Sequence, residues 1–136
     1  MPDKYMREYS LRRLEKSADD LDTAQICYGA GKYNASANRA YYSVYHAIRA
    51  VLALDDIERS KHSGNISYFR EHYISTDIFD RVYSETIKKA EVLRNAADYN
   101  DMQDTSAEEA QDVTNKASAF HDAVKGYIAG RLGQEI

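Results

Sequence analysis

Three short segments of the chain carry the residues best suited to chemistry, and the first of them is rich in tyrosine. Residues 38–47 read Asn-Arg-Ala-Tyr-Tyr-Ser-Val-Tyr-His-Ala, with three tyrosines and a histidine within six positions. Because successive helical residues turn by about 100°, Asn38, Tyr42 and Arg49 would share one side of a helix. One interpretation is a packed aromatic helix whose hydroxyls find backbone partners. The other is a polar, ligand-binding wall in which His46 titrates or donates a hydrogen bond near neutral pH.

The second segment, residues 93–101, places Arg94 four positions before Asp98. On a helix these two side chains would form a local ion pair, which is the simplest interpretation. In the alternative interpretation, the planar guanidinium of Arg94 binds a phosphate that Asp98 helps to orient. Asn95 would then hydrogen-bond the same ligand, and Tyr99 would donate to it or stack on it.

The third segment, residues 60–64, reads Ser-Lys-His-Ser-Gly at the start of a predicted helix. Free backbone N–H groups and the helix dipole favour negative charge at such a position. Lys61 and His62 are therefore candidates for binding an anion. A helix start without a ligand is the alternative, and the sequence leaves both interpretations open.

Motifs for several other chemistries are missing from the sequence. It has no glycine-rich phosphate loop, no paired-histidine metal motif and no nucleophile elbow. The four histidines are scattered, and Cys27 is the single cysteine. We therefore predict no metal site, no disulfide and no cofactor.

Length and composition predict a single helical domain over residues 1–136. The only proline is Pro2, so the rest of the chain lacks the strongest helix breaker. The net charge of −4 disfavours broad, non-specific binding of nucleic acid, so any contact with RNA must be local. The first residues lack a signal-peptide core, and no stretch approaches the ~20 apolar residues of a membrane span. We expect a cytoplasmic protein with no membrane partner.

The hydrophobic spacing predicts an all-α, antiparallel bundle of about five helices. They cover about residues 5–28, 35–54, 62–73 and 78–97, and the last runs from 105 or 106 to about 130. The predicted N-caps of the second, fourth and fifth helices are short polar residues, namely Asn34, Thr76 or Asp77, and Thr105 or Ser106. Glu108 or Glu109 would complete a capping box in the fifth helix, and the glycines at 130 and 133 would end it.

Four segments, read together, resemble a known family. Residues 33–42, 46–47, 60–64 and 94–99 are similar to motifs of HEPN (higher eukaryotes and prokaryotes nucleotide-binding) domain proteins. The small stand-alone prokaryotic branch has a late motif of Arg, two variable residues, Ala, Asp and Tyr, which 94–99 match. The resemblance extends over about residues 8–130.

The resemblance implies both a fold and a function. HEPN domains are bundles of about five helices that often form two-fold homodimers. Many are metal-independent endoribonucleases, and many are toxins paired with a nucleotidyltransferase antitoxin. One expectation is therefore a dimeric, RNA- or nucleotide-directed member of a toxin–antitoxin or related defence pair. The alternative is a non-catalytic bundle that binds a nucleotide or a nucleotidyltransferase partner.

The catalytic motif of the family is matched only at its front. That motif is an arginine, often followed by a polar residue, and then a histidine a few positions later; Arg94 and Asn95 match its start. The positions where the histidine would fall hold Tyr99, Asn100 and Asp101. A tyrosine, with a pKa near 10, is a poor base at pH 7. His46 is then the candidate for proton transfer, and the sequence leaves open whether the chain cleaves RNA.

Overall fold

The computed structural model describes residues 2–99 and 101–136, and it is an all-α bundle with no strand in those two ranges. This architecture confirms the predicted fold class. None of the described helices is long and apolar enough to cross a membrane. Within these described ranges, the five α-helices are α1 (Lys4–Gly29), α2 (Tyr33–Leu54), α3 (His62–Phe69), α4 (Val82–Tyr99) and α5 (Ala107–Leu132).

Helix α2 is the centre of the bundle and packs against the other four helices. Its residues Ile48, Val51 and Leu52 are fully buried, because they point into the space that the surrounding helices enclose. Phe69 and Phe120 meet edge to face at 5.7 Å between ring centroids, which joins the end of α3 to α5. The site described below is built on this central helix and is therefore held by the core.

Buried serines hold α1 close against α2. Ser10 Oγ donates to the carbonyl of Ala50 at 2.7 Å, and Ser17 Oγ donates to the carbonyl of Ser43 at 2.7 Å. Ser43 Oγ returns a bond to the carbonyl of Ser17 at 2.8 Å. Small side chains allow the two backbones to approach, and the hydroxyls are satisfied without water. Polar residues of α1 consequently reach the polar edge of α2.

The predicted helix ends are partly right. Ser106 is the N-cap of α5 and forms a capping box with Glu109, with both bonds at 3.1 Å. Gly133 ends α5 in the left-handed region, at φ 65°, which glycine adopts without strain. Gly130 lies inside α5 and does not end it. One turn of the predicted third helix, Arg70–Ile74, is π-helical.

Two N-cap predictions are wrong. Asn34 lies inside α2, which begins after Lys32, and its Oδ1 accepts from the backbone N–H of Thr105 at 2.8 Å. The Asn34 side chain thus accepts a hydrogen bond from the backbone just before α5 instead of capping its own helix. Helix α4 begins at residue 82, after both Thr76 and Asp77, and the N–H of Val82 donates to the Asp80 carboxylate at 2.9 Å.

Candidate functional site

The three segments singled out in the sequence meet where α2 packs against both α3 and α4. The middle of α2 supplies Tyr41 and Tyr42, α3 begins with His62, and α4 supplies Arg94. A cleft of about 180 Å³ opens there, and we call it the Arg94 cleft. Its lining residues are Tyr41, His62, Ser63, Ile66, Glu91, Arg94 and Asn95.

Arg94 is held by aromatic rings. Its Cζ lies 4.9 Å from the centroid of the Tyr41 ring and 5.7 Å from that of Tyr42. Nη2 donates to the Tyr42 hydroxyl at 3.4 Å. A guanidinium over a ring face is attracted by the ring quadrupole, which fixes a long side chain that would otherwise be mobile. Within the described residues Nη1 has no hydrogen-bond partner, so one end of the fork is available to a ligand.

The ion pair predicted within α4 is present. Arg94 Nε donates to Asp98 Oδ2 at 3.2 Å, and the amide of Asn38 donates to both carboxylate oxygens of Asp98 at 3.4 and 3.3 Å. The structure thereby brings Asn38, Tyr42, Arg94 and Asp98 into one network. The ion pair uses only Nε of Arg94, and the guanidinium can still contact a phosphate.

His62 lines the Arg94 cleft with its imidazole in a fixed orientation. The ring stacks on Tyr45, with centroids 3.8 Å apart and planes 19° apart, and Nδ1 lies 3.0 Å from the Tyr41 hydroxyl. In residues 2–99 and 101–136, no hydrogen bond is made by Nε2. Burial, followed by the charges of Arg94, Arg49 and Arg13, lowers the pKa of His62. The imidazole is therefore neutral at pH 7.

His46 occupies a different environment, between α1 and α2. Nη1 of Arg13 lies 2.9 Å from His46 Nδ1, and because a guanidinium only donates, Nδ1 is the acceptor and Nε2 carries the proton. Nε2 in turn faces the carboxylate of Asp20 at 3.6 Å. Burial, together with the positive charges of Arg13, Lys16 and Arg49, lowers the pKa of His46 to about 4. Both ring nitrogens of His46 face protein side chains.

Arg49 lies beneath the tyrosines and is buried, with 8% of its surface exposed. Its Nη1 donates to the Tyr45 hydroxyl at 3.2 Å, and its Nη2 donates to Glu58 at 2.6 Å and to the Tyr9 hydroxyl at 2.9 Å. The amide of Asn65 also donates to the Tyr45 hydroxyl, at 3.0 Å. Arg49 therefore fixes the ring on which His62 stacks, at some depth below the surface.

The remaining predicted site residues lie on the surface around the start of α3 and the end of α4. Asn95 lines the Arg94 cleft. Lys61 is exposed at the N-cap of α3, and 75% of Tyr99 is exposed at the end of α4. Asn100, one of the positions where the family histidine would fall, lies outside the described residues. Among the described residues, no three His, Cys, Asp or Glu side chains are grouped so that they could hold a metal ion.

Several residues of this face were not found from the sequence. Arg13 and Asp20 come from α1 and contact His46, while Asp20 also accepts from Arg39 Nη1 at 3.1 Å. Tyr41 lies in the tyrosine-rich segment but is given no separate role by the sequence, and in the structure its hydroxyl contacts His62. Arg13 and Asp20 are seven positions apart and therefore lie on one side of α1. Apolar residues alone do not reveal this polar side of the helix.

Comparisons with known proteins agree on one family. The HEPN domain model matches residues 10–127. Two proteins of Methanocaldococcus jannaschii named as candidate toxins are 29% and 30% identical to the chain, over 94% and 90% of it and over 86% and 90% of their own lengths. A UPF0332 protein of Thermotoga maritima is 26% identical over 89% of each chain. The chain belongs to the HEPN domain family.

Proposed function

We propose that this chain is a toxin-like HEPN protein that binds RNA at the Arg94 cleft and cleaves it without a metal ion. Membership of the HEPN family and the two relatives named as toxins support the toxin-like role. One observation carries the RNA-directed part of the proposal. The Arg94 guanidinium lies on two tyrosine rings beside a cleft, with Nη1 unbonded among the described residues.

Two incompletely neutralised guanidinium groups, those of Arg13 and Arg94, support anion binding by a chain whose net charge is −4. Within the described residues, Arg13 contacts Tyr9 and His46 but no carboxylate. Arg94 has Asp98 as its carboxylate partner, in a pair that is partly exposed to solvent. Phosphate oxygens approaching this face would meet guanidinium groups that are incompletely neutralised, and such groups bind phosphate with two-pronged geometry.

The site residues take complementary roles in the proposal. Arg94 binds a backbone phosphate, and Asn95 and Asp98 orient it. Tyr99, exposed at the end of α4, stacks on a neighbouring base, a contact that every base can make. The other site residues predicted from the sequence border the bound RNA in this proposal. They are Asn38, Tyr42, His46, Arg49, Lys61 and His62.

A second copy of the chain is the proposed partner at α4, next to the cleft. Val92 and Tyr99 are 54% and 75% exposed, and a spacing of seven places them on one side of the helix. A two-fold contact centred on Val92 would cover this apolar side chain and leave the Tyr99 ring, at the end of the helix, at its rim, where it can still stack on a base. The toxin names of the relatives favour a further pairing with an antitoxin, for which a nucleotidyltransferase is the proposed class.

Incubation with short RNAs in the presence of EDTA tests the proposed function. We expect the wild-type protein to cleave RNA and to leave a cyclic phosphate end. Arg94→Ala should lose cleavage and bind RNA about tenfold more weakly or worse, the scale of a lost hydrogen bond to a charged group. Arg81→Ala is the matched control, because Arg81 is exposed just before α4 and lies outside the site.

Two outcomes would contradict the proposal in different ways. RNA binding that is equal in the wild-type protein, Arg94→Ala and Arg81→Ala would remove the Arg94 cleft as the RNA site. Binding that depends on Arg94, with no cleavage of any RNA, would leave the non-catalytic alternative.

A further inference from the structure

We infer that His62 is the proton-transfer residue of the Arg94 cleft, and that α3 therefore supplies the group that the α4 segment after Arg94 does not contain. This inference rests on the proposed function, since it names the catalytic base of the same site. It concerns a residue that the sequence marked only as a candidate for anion binding.

The first argument is a comparison of the side chains that line the cleft. Arg94 only donates, and Ser63 and Asn95 do not titrate near neutral pH. Burial raises the pKa of Tyr41 to about 12, so its hydroxyl keeps its proton. Glu91 is a weak base by nature and pairs with Arg70 at 3.5 Å.

His62 differs from these groups because, among the described residues, one nitrogen of its neutral imidazole has no protein partner. An imidazole is the side chain best matched to proton transfer at pH 7. The described residues offer no hydrogen bond to Nε2, although the ring lines the cleft together with Arg94. Nε2 can therefore meet a bound ribose or a water molecule.

The second argument is that the ring is oriented from behind. Nδ1 lies 3.0 Å from the Tyr41 hydroxyl, and Tyr45 stacks on the ring face at 3.8 Å. Tyr45 is itself fixed by bonds from Arg49 and Asn65. A reactive group held by a second group, which is held by a third, is the arrangement expected of a base that must not rotate away from its substrate.

The same tyrosine connects His62 to the phosphate-binding group. Tyr41 bonds to His62 through its hydroxyl and carries Arg94 on its ring face, with Cζ 4.9 Å from the centroid. The imidazole and the guanidinium are thus set by one side chain. A phosphate held by Arg94 would bring its neighbouring ribose to the His62 side of the cleft.

The proposed step balances without any further reactant. The step uses the tautomer of neutral His62 that carries its proton on Nδ1 and donates it to the Tyr41 oxygen, which leaves the lone pair on Nε2. Nε2 takes the proton of a ribose 2′-hydroxyl as the hydroxyl oxygen attacks the adjacent phosphorus. The new P–O2′ bond forms while the P–O5′ bond breaks, and the electron pair of that bond leaves with O5′. Water protonates O5′, and His62 returns its proton to solvent. The products are a 2′,3′-cyclic phosphate and a 5′-hydroxyl.

Cleavage and binding measured side by side test the inference. We would compare wild-type protein with His62→Ala, His62→Gln, Tyr41→Phe and the control His72→Gln, whose side chain is 47% exposed away from the cleft. Cleavage would be followed on RNA, and affinity on the same oligonucleotide with 2′-deoxyribose at the cleaved position. Melting curves would establish that each variant is folded, and Tyr41→Phe decides if neither His62 variant folds.

The expected result is a loss of rate without a matching loss of affinity. His62→Ala should cleave about a hundredfold more slowly or worse, the range of general base catalysis, and imidazole in solution should restore part of the rate. His62→Gln should lose the same rate without such rescue. Tyr41→Phe should lose about tenfold, because it frees the ring to rotate, and His72→Gln should match the wild-type protein.

Several results would overturn the inference, and they separate it from the proposed function. If Arg94→Ala loses cleavage while His62→Ala keeps it, the inference fails and the proposed function stands. If the fall in rate for His62→Ala equals its fall in affinity, His62 is a binding residue only. If RNA binds through Arg94 but is never cleaved, the inference fails and the binding part of the proposal remains. If no binding depends on Arg94, both fail.

Discussion

His46 and His62 lie within one aromatic cluster, yet their surroundings differ in a way that decides what each can do. Both stand against Tyr45, with ring centroids 6.0 Å and 3.8 Å away. Burial is the main cause that lowers the pKa of each, so both are neutral at pH 7. His46 presents both nitrogens to Arg13 and Asp20, whereas Nε2 of His62 is unbonded among the described residues.

The comparison shows that the role open to a histidine depends on whether one of its ring nitrogens lacks a protein partner. His46 sits in the tyrosine-rich segment and is the natural choice from the sequence. In the structure it joins α1 to α2, and a substrate would have to displace Arg13 or Asp20 to reach it. His62 belongs to a short helix start, but its ring lines an open cleft.

The largest expected effect on stability is a pH dependence that comes from His46. The charged groups facing it are Arg13, Lys16 and Asp20 from α1, Arg49 from α2 and, as a neighbouring titratable group, His62 from α3. Its pKa is about 4 in the folded protein, against 6.5 for a free histidine. Between these values the unfolded chain binds more protons than the folded chain, so the free energy of unfolding rises with pH. The stabilising contribution of neutral His46 is fully present above about pH 6.5.

We therefore expect acidification below pH 6.5 to destabilise the protein. His46 can contribute at most about 1.4 kcal/mol for each pH unit. His62 and His121, whose pKa values burial also lowers, act in the same direction. Urea unfolding from pH 7 to pH 5 should give a steeper loss for the wild-type protein than for His46→Gln. Parallel profiles would mean that His46 is not held in its neutral form by the fold.

Much of the fold follows from local sequence. The apolar residues of the long helices recur with helical spacing, and Ser106 with Glu109 satisfies the first turn of α5. The role of Asn34 could not be predicted in this way. Its partner, Thr105, is 71 positions away, and which backbone N–H it serves depends on how α2 meets the chain before α5.

The candidate site was predictable as a set of segments but not as a geometry. The motif at 94–99 makes Arg94 a candidate for binding phosphate, and the ion pair to Asp98 follows from a spacing of four. The contact between His62 and Tyr41 joins α3 to α2 across 21 positions, and no local pattern encodes it. Arg13 was missed because the apolar stripe of α1 says nothing about its polar side.

A smaller effect is expected when the carboxylate beside His46 is neutralised. Burial raises the pKa of Asp20, which offsets much of what its pairing with Arg39 contributes. Asp20→Asn should therefore change the free energy of unfolding at pH 7 by less than about 1 kcal/mol. RNA cleavage should persist in this variant. A loss of more than about 2 kcal/mol would show that the His46 network carries more of the stability than its charges suggest.

The most direct test of the account is an NMR titration of the two imidazole rings, assigned with His46→Gln and His62→Gln, with and without an uncleavable 2′-deoxy oligonucleotide. A phosphate bound by Arg94 favours protonation of the nearer ring, so the oligonucleotide should raise the pKa of His62 by about one unit or more. The pKa of His46 should stay near about 4, its value in the folded protein without the oligonucleotide. A shift of His46 that exceeds that of His62, or no shift of His62, would contradict the account.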